Sequence, residues 1–229
     1  MKTARGVGSF LLTLVIYLGL PLVGWGLDDW NGFFSLPQML GYSITIAAFG
    51  AVAGYQMIKR PEGLRGGKGQ EGKFVSRQRI VRILVTGMLF GALVFVPLAD
   101  RRNIGVMDSN DAARWLGLVF ATLGMGLIFW SGLALGRLYS PEVTIQKDHH
   151  LVTDGPYHLV RHPRYLGGMI QGVGLSLLFR SWIGLGLTCL FIAIILFRIK
   201  DEEALMSREF GEGWEMYCKK SWRLIPFIW

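Results

Sequence analysis

Two cysteines in 229 residues are too few for a disulfide framework. Cys189 falls inside an apolar run and Cys218 in a polar stretch, and neither has the spacing of a metal site. Charge is scarce as well, at 17% of residues, and acidic groups are the scarcer sign, 16 against 24 Lys and Arg. That shortage, with 52% hydrophobic residues and a mean hydropathy of +0.39, rules out a soluble domain with a large core. No HExxH pattern accompanies the four histidines, so no metal is expected. The glycine-rich stretch Arg65-Gly-Gly-Lys-Gly69 lacks the Ser or Thr of a phosphate-binding loop. No repeat of 20–50 residues is visible, and charged residues are missing from the middle of the apolar runs, which argues against a transport pathway.

What the chain has instead is long apolar runs. Crossing a hydrocarbon layer takes roughly 20 helical residues. By that rule, spans fall at Ser9–Leu27, Pro37–Ile58, Ile80–Ala99 and Ala112–Gly136. Two shorter runs follow, Tyr165–Phe179 and Trp182–Phe197, broken at Arg180-Ser181. The fold class is therefore all-α, a polytopic membrane protein of five to six transmembrane helices. The run Phe10–Leu20 after Lys2 and Arg5 is similar to a signal-peptide core, but without a small-residue cleavage site it reads as a retained first span. Gly132-x-x-x-Gly136, Gly168-x-x-x-Gly172, Gly174, Gly184 and Gly186 predict close helix packing.

The net charge of +8 does not indicate nucleic acid, because the cations crowd one loop. Lys59, Arg60, Arg65, Lys68, Lys73, Arg77, Arg79 and Arg82 have only Phe74 interleaved, which reads as a cytoplasmic loop near anionic headgroups. The same rule places both termini and residues 137–164 on the cytosolic side of what is expected to be a prokaryotic cytoplasmic membrane.

Two polar stretches carry the chemistry. The first is His149-His-Leu-Val-Thr-Asp-Gly-Pro-Tyr157 followed by Leu159-Val-Arg-His-Pro-Arg-Tyr-Leu-Gly167. Asp154-Gly155-Pro156 makes a turn, and Pro163 disfavours helix at His162 while opening a new one. The first backbone amides of that helix, around His162–Tyr165, are thereby expected to face an anionic group. The second stretch is Arg198-Ile-Lys-Asp-Glu-Glu203. On a helix Arg198 and Glu202 share a face, with Glu203 about 100° further round. Both signs of charge meeting at a membrane edge mark a candidate binding site.

Leu151-Val-Thr-Asp-Gly-Pro-Tyr157, Arg161-His-Pro-Arg-Tyr165, and Glu202-Glu203 with Phe210-Gly211 and Tyr217 closely resemble isoprenylcysteine carboxyl methyltransferases and their prokaryotic relatives. Phospholipid methyltransferases share the broader pattern. The resemblance runs from Trp115 onward, about half the chain, and divides it into N-terminal transmembrane helices (1–111) and a methyltransferase core (112–229). It implies an integral membrane enzyme using S-adenosylmethionine, with a cytosolic cofactor pocket formed by the loop before the last helical hairpin and the C-terminal helix. By position, His149, His150, Leu151, Val152 and Tyr157 would line the cofactor. His162, Pro163, Arg164 and Tyr165 would hold its carboxylate and adenosine ends, and Glu203 its cationic methionyl portion. Arg198 would orient the acceptor. Gln146 matches a cofactor-contacting Gln at a shorter distance from the histidines. Arg164 stands where small residues are common, and Met206 where Leu is usual. The implied partners are membrane lipid and a lipophilic or lipidated acceptor, methylated on a carboxylate. The competing expectations are an NADPH-dependent sterol-type reductase, which shares an Arg-His-Pro-x-Tyr motif, and a non-enzymatic transporter or assembly factor.

Overall fold

The computed structural model describes residues 2–59, 76–108, 111–136 and 151–227. Most of the basic loop, residues 60–75, therefore lies outside the described residues, as do Gln146, His149 and His150. Among the described residues the chain is helical, with two isolated bridges and no strand. Helix α1 (Lys2–Leu14) continues through a π-helical stretch, Val15–Gly19, into α2 (Leu20–Trp25). A short turn leads to α3 (Trp30–Ser35) and then to α4 (Pro37–Lys59). α5 (Ser76–Arg101), α6 (Asp111–Leu135), α7 (Pro163–Leu178), α8 (Trp182–Phe210) and α9 (Glu212–Lys220) follow.

Four helical stretches are long and apolar enough to cross a membrane: Thr3–Trp25, Ile80–Arg101, Asp111–Leu135 and Trp182–Phe210. The pair Leu27–Ser35 and Pro37–Lys59, bent by 100°, makes a fifth candidate. The hairpin expected at the end of the chain differs from its sequence reading. α8 does not stop at Phe197 but runs 29 residues to Phe210. Arg, Lys, Glu, Leu and Met are all good helix formers, so the helix continues after the apolar stretch ends. α7, at 16 residues, is about 24 Å long and shorter than a hydrocarbon layer. The boundaries of both helices have local causes. Pro163 occupies the first turn of α7, the Ser181 hydroxyl accepts from the Gly184 amide at 3.0 Å, and Gly211 ends α8 at φ 49°.

α6 and α7 pack backbone to backbone. A Cβ added at Gly117 or Gly174 would lie 2.2 Å from the amide nitrogen of Leu178 or Ala121, and one at Gly124 would lie 2.5 Å from that of Gln171. The contact stripe thus has seven-residue spacing, Gly117 with Gly124 and Gly167 with Gly174. It does not run along the expected Gly132-x-x-x-Gly136, where an added Cβ meets nothing within 4 Å. Gly172 and Gly184 face the other way and seat α7 against α8, around Ser176 and Thr188.

At the end of the bundle away from the polar motifs, Asp100 is fully buried and accepts from two arginines. Arg114 Nη1 lies 2.8 Å away and also donates to the Leu178 carbonyl, and Arg180 Nη2 lies 2.8 Å away. One carboxylate therefore joins the end of α5, the start of α6 and the turn between α7 and α8.

Candidate functional site

The site forms where α7 begins and α8 emerges. The chain enters α7 from the turn Gly155–His158, and residues 159–162 are held beside 222–223 by backbone hydrogen bonds. Trp222 N donates to Leu159 O at 2.9 Å, Arg161 N to Trp222 O at 2.7 Å, and His162 N to Arg223 O at 3.2 Å. The His162 amide is therefore already used, so the array of open amides expected there is smaller than the sequence implied.

Arg161 binds this region together. Its Nε donates to Glu203 Oε1 at 3.2 Å, and its Nη1 to the carbonyls of Cys218 at 3.1 Å and of Ser221. Those carbonyls lie at the end of α9, where backbone acceptors lack helical partners and a cation is favoured. Glu203 accepts in addition from Arg223 Nη2 at 2.7 Å and lies 3.3 Å from His162 Nε2. The Tyr217 phenol, pushed up to about 12 by burial, donates to the Tyr157 carbonyl at 2.7 Å and fastens α9 over the turn. Burial also raises the neighbouring Cys218 thiol.

Inside this frame lies a cavity of about 250 Å³, lined by charges of both signs. Tyr165 lines it. The phenol donates to Glu202 Oε2 at 2.7 Å and accepts from Arg198 Nε at 2.8 Å, and its ring lies nearly parallel to that of His162 with centroids 5.6 Å apart. Tyr157, Arg161, Arg164 and Arg82 complete the polar wall. A second cavity of about 250 Å³, predominantly apolar, runs between α5, α7 and α8 from Arg164 and Tyr165 to Phe179 and Gly184. Val85, Arg164, Tyr165 and Ile195 line both.

Of the residues proposed from sequence, Tyr157, His162, Arg164, Tyr165 and Arg198 come together in the polar cavity. Pro163 is buried in the first turn of α7 and supports them. Glu203 stands behind the wall, held by Arg161, His162 and Arg223, and the acidic side chain that lines the cavity is Glu202. Leu151 and Val152 are half-buried and line neither cavity. Gln146, His149 and His150 fall outside the described residues. Sequence reasoning gave no role to Arg161, although it stands inside the quoted motif. It missed Arg223, whose partner is 20 positions earlier and leaves no local pattern. Among the described residues no cluster of His, Cys, Asp or Glu is arranged to hold a metal ion.

Fold and site together define a polytopic helical membrane protein with a polar cavity opening beside an apolar one. Residues 112–213 match the family model described as phospholipid methyltransferase. The protein-S-isoprenylcysteine O-methyltransferase of Schizosaccharomyces pombe is 36% identical over 118 residues, 48% of this chain and 48% of that protein. A delta(14)-sterol reductase of Mus musculus is 31% identical over 87 residues, 34% of this chain and 19% of that protein. The solved structure of a eukaryotic intramembrane Ras methyltransferase, isoprenylcysteine carboxyl methyltransferase, aligns over 99% of this chain and 95% of its own, with 19% identity and a TM-score of 0.47. Residues 112–213 are thus similar to the phospholipid methyltransferase family model, and isoprenylcysteine O-methyltransferases are among the chain's relatives. The chain spans about half the length of the curated relatives it matches.

Proposed function

We propose that this chain is an integral membrane methyltransferase that uses S-adenosylmethionine to methylate the carboxylate of a lipophilic, isoprenylcysteine-like acceptor. The observation that carries the reading is the shared wall at Arg164 and Tyr165, where a cavity bearing both signs of charge meets an apolar one inside the bundle. A donor with an ammonium, a carboxylate and a sulfonium needs both signs and aromatic faces, and Glu202, Arg161, Arg198, Tyr157 and Tyr165 provide them. When bound, S-adenosylmethionine supplies an activated methyl group whose bond to sulfur breaks as a bond to the acceptor oxygen forms, leaving a neutral thioether.

The protein's own contribution is alignment and exclusion of water. An ionised carboxylate needs no strong base, which agrees with a site rich in guanidinium groups. Arg198 orients the acceptor carboxylate, with its Nε fixed on Tyr165. Glu202, lining the cavity, faces the cationic methionyl end. Glu203, the residue first assigned that role, bears on the same end by setting the positions of Arg161 and His162. His162, Pro163, Arg164 and Tyr165 form the floor under the carboxylate and adenosine ends. Tyr157, which lines the polar cavity, is assigned to the cofactor together with Leu151 and Val152, and the same assignment is made for Gln146, His149 and His150 outside the described residues. The site opens to the cytosolic side of a prokaryotic cytoplasmic membrane in this reading.

Calorimetric titration of the detergent-purified protein with S-adenosylhomocysteine tests the proposal, with NADPH as the competing ligand because of the sterol reductase relative. Wild type is expected to bind S-adenosylhomocysteine. Glu202→Gln and Glu203→Gln should each weaken binding on the order of tenfold or more, the worth of one charge-assisted hydrogen bond. Arg198→Ala should retain binding and lose turnover. Binding of NADPH and not of S-adenosylhomocysteine sinks the reading.

A further inference from the structure

Beyond the catalytic site, the segment that follows α9 carries an unassigned surface. We propose that Ser221–Phe227 is a lipid-embedded strap, and that its partner is a bilayer interface bearing anionic headgroups.

The depth of the segment fixes its surroundings. Leu224 is 2% exposed and packs with Met169 of α7 and with Ile195 and Ile199 of α8. Those α8 residues belong to the helix read as a membrane span. At the same level of α8, the ammonium of Lys200, the residue after Ile199, lies 5.9 Å from the centre of the Phe197 ring, and Phe197 is 61% exposed. A lysine folded over an exposed aromatic marks the headgroup boundary, because its stem covers apolar surface while the charge stays in water. Leu224 therefore returns the chain to a level just inside that boundary.

Its neighbours are apolar and bare. Trp222 is 38%, Ile225 45% and Phe227 84% exposed, and the Trp222 and Phe227 rings lie 5.4 Å apart. Three large apolar groups in water beside a buried leucine would be costly, whereas at the interface they are favourable, most of all the indole. Lys219 and Lys220, both exposed, close α9 immediately before the strap and supply the charge that anionic lipid attracts.

The strap also bears on the polar cavity. Its backbone accepts from the amides of Arg161 and His162, and Arg223 holds Glu203. Lipid contact at Trp222 and Phe227 thus keeps one wall of the cavity in place. This last consequence rests on the methyltransferase reading, whereas the anchoring does not.

The test reads position, not activity. The full chain, with Cys189→Ser and Cys218→Ser, is labelled with an environment-sensitive dye at Phe227→Cys. An exposed site on α9, Gly213→Cys, where an added Cβ meets nothing within 4 Å, is the water-facing control. In nanodiscs containing phosphatidylglycerol the dye at 227 should emit at shorter wavelength, be quenched by brominated acyl chains, and be quenched by iodide several-fold less than at 213. Equal iodide quenching at the two positions overturns the proposal. Replacing the phosphatidylglycerol with phosphatidylcholine should lower brominated-chain quenching at 227, and an unchanged value removes the anionic headgroup from the proposal. In the protein with native cysteines, brominated-lipid quenching of the eight tryptophans that falls by one residue's share in Trp222→Phe supports the same placement, and identical quenched intensity in the two proteins contradicts it.

Discussion

Arg161 shows how much one side chain holds here. Its guanidinium reaches Glu203 on α8 and the carbonyls of Cys218 and Ser221 at the end of α9, while its amide donates to Trp222. A lysine has the charge but not the planar fork, so it cannot serve these acceptors together. Arg161→Lys is expected to lose about 2–4 kcal/mol of stability, since the side chain is nearly buried and its partners would be left short of donors. S-adenosylhomocysteine affinity of the folded protein should fall as well, measured by titration well below the melting temperature. Unchanged affinity would confine Arg161 to a scaffolding role. The residue types of this site were legible in the sequence, and their pairing was not. Arg198 and Glu202 share a helical face by spacing alone, and the structure puts both on the Tyr165 phenol. That Glu203, next to Glu202, turns instead to Arg161 and Arg223 depends on segments 42 and 20 positions away, which no local pattern encodes.

Among the elements, α6 and α7 pack at backbone distance. Gly117, Gly124, Gly167 and Gly174 leave no room for a side chain between the two backbones. Close approach in lipid depends on such positions, because no hydrophobic force separates helix from acyl chain there. Gly174→Val must push the helices apart or break their packing, at a cost of at least about 1–3 kcal/mol. A lower melting temperature in detergent is the expected result, with Gly132→Val, at an open position, close to wild type. Equal stability of the two variants would show that the contact is dispensable. Small residues are visible in the sequence as a packing signal, and Gly172, Gly174 and Gly184 do lie at helix contacts whereas Gly132, Gly136 and Gly186 do not, since glycine spacing says nothing about which helix lies opposite. The apolar run of α8 likewise stops short of its helix: hydropathy marks where a membrane ends, whereas the helix ends at Gly211.

Across the whole molecule the two ends of the bundle are built differently. At the site end, arginines and the Glu202 carboxylate line a cavity. At the other end, Asp100 is enclosed by Arg114 and Arg180, with Arg114 also on the Leu178 carbonyl, and Met107 N donates to Arg180 O at 2.7 Å to close the loop over them. Such a cluster carries a desolvation cost that only complete pairing offsets, so removing its single negative charge leaves two guanidinium groups facing one another. Asp100→Asn retains the shape and is expected to lose about 3–5 kcal/mol. The loss should spread through α5, α6 and the α7–α8 turn, because the carboxylate touches all three, and should appear as one lowered cooperative melting transition. The length of α7, about 24 Å, separates the cluster from Tyr165. S-adenosylhomocysteine affinity of the folded fraction should therefore stay within about twofold of wild type, since changes at sites this far apart without shared partners are close to independent. A variant as stable as wild type would show that the cluster does not hold the far end together. One that melts normally but loses ligand affinity would mean that the two ends are coupled through α7.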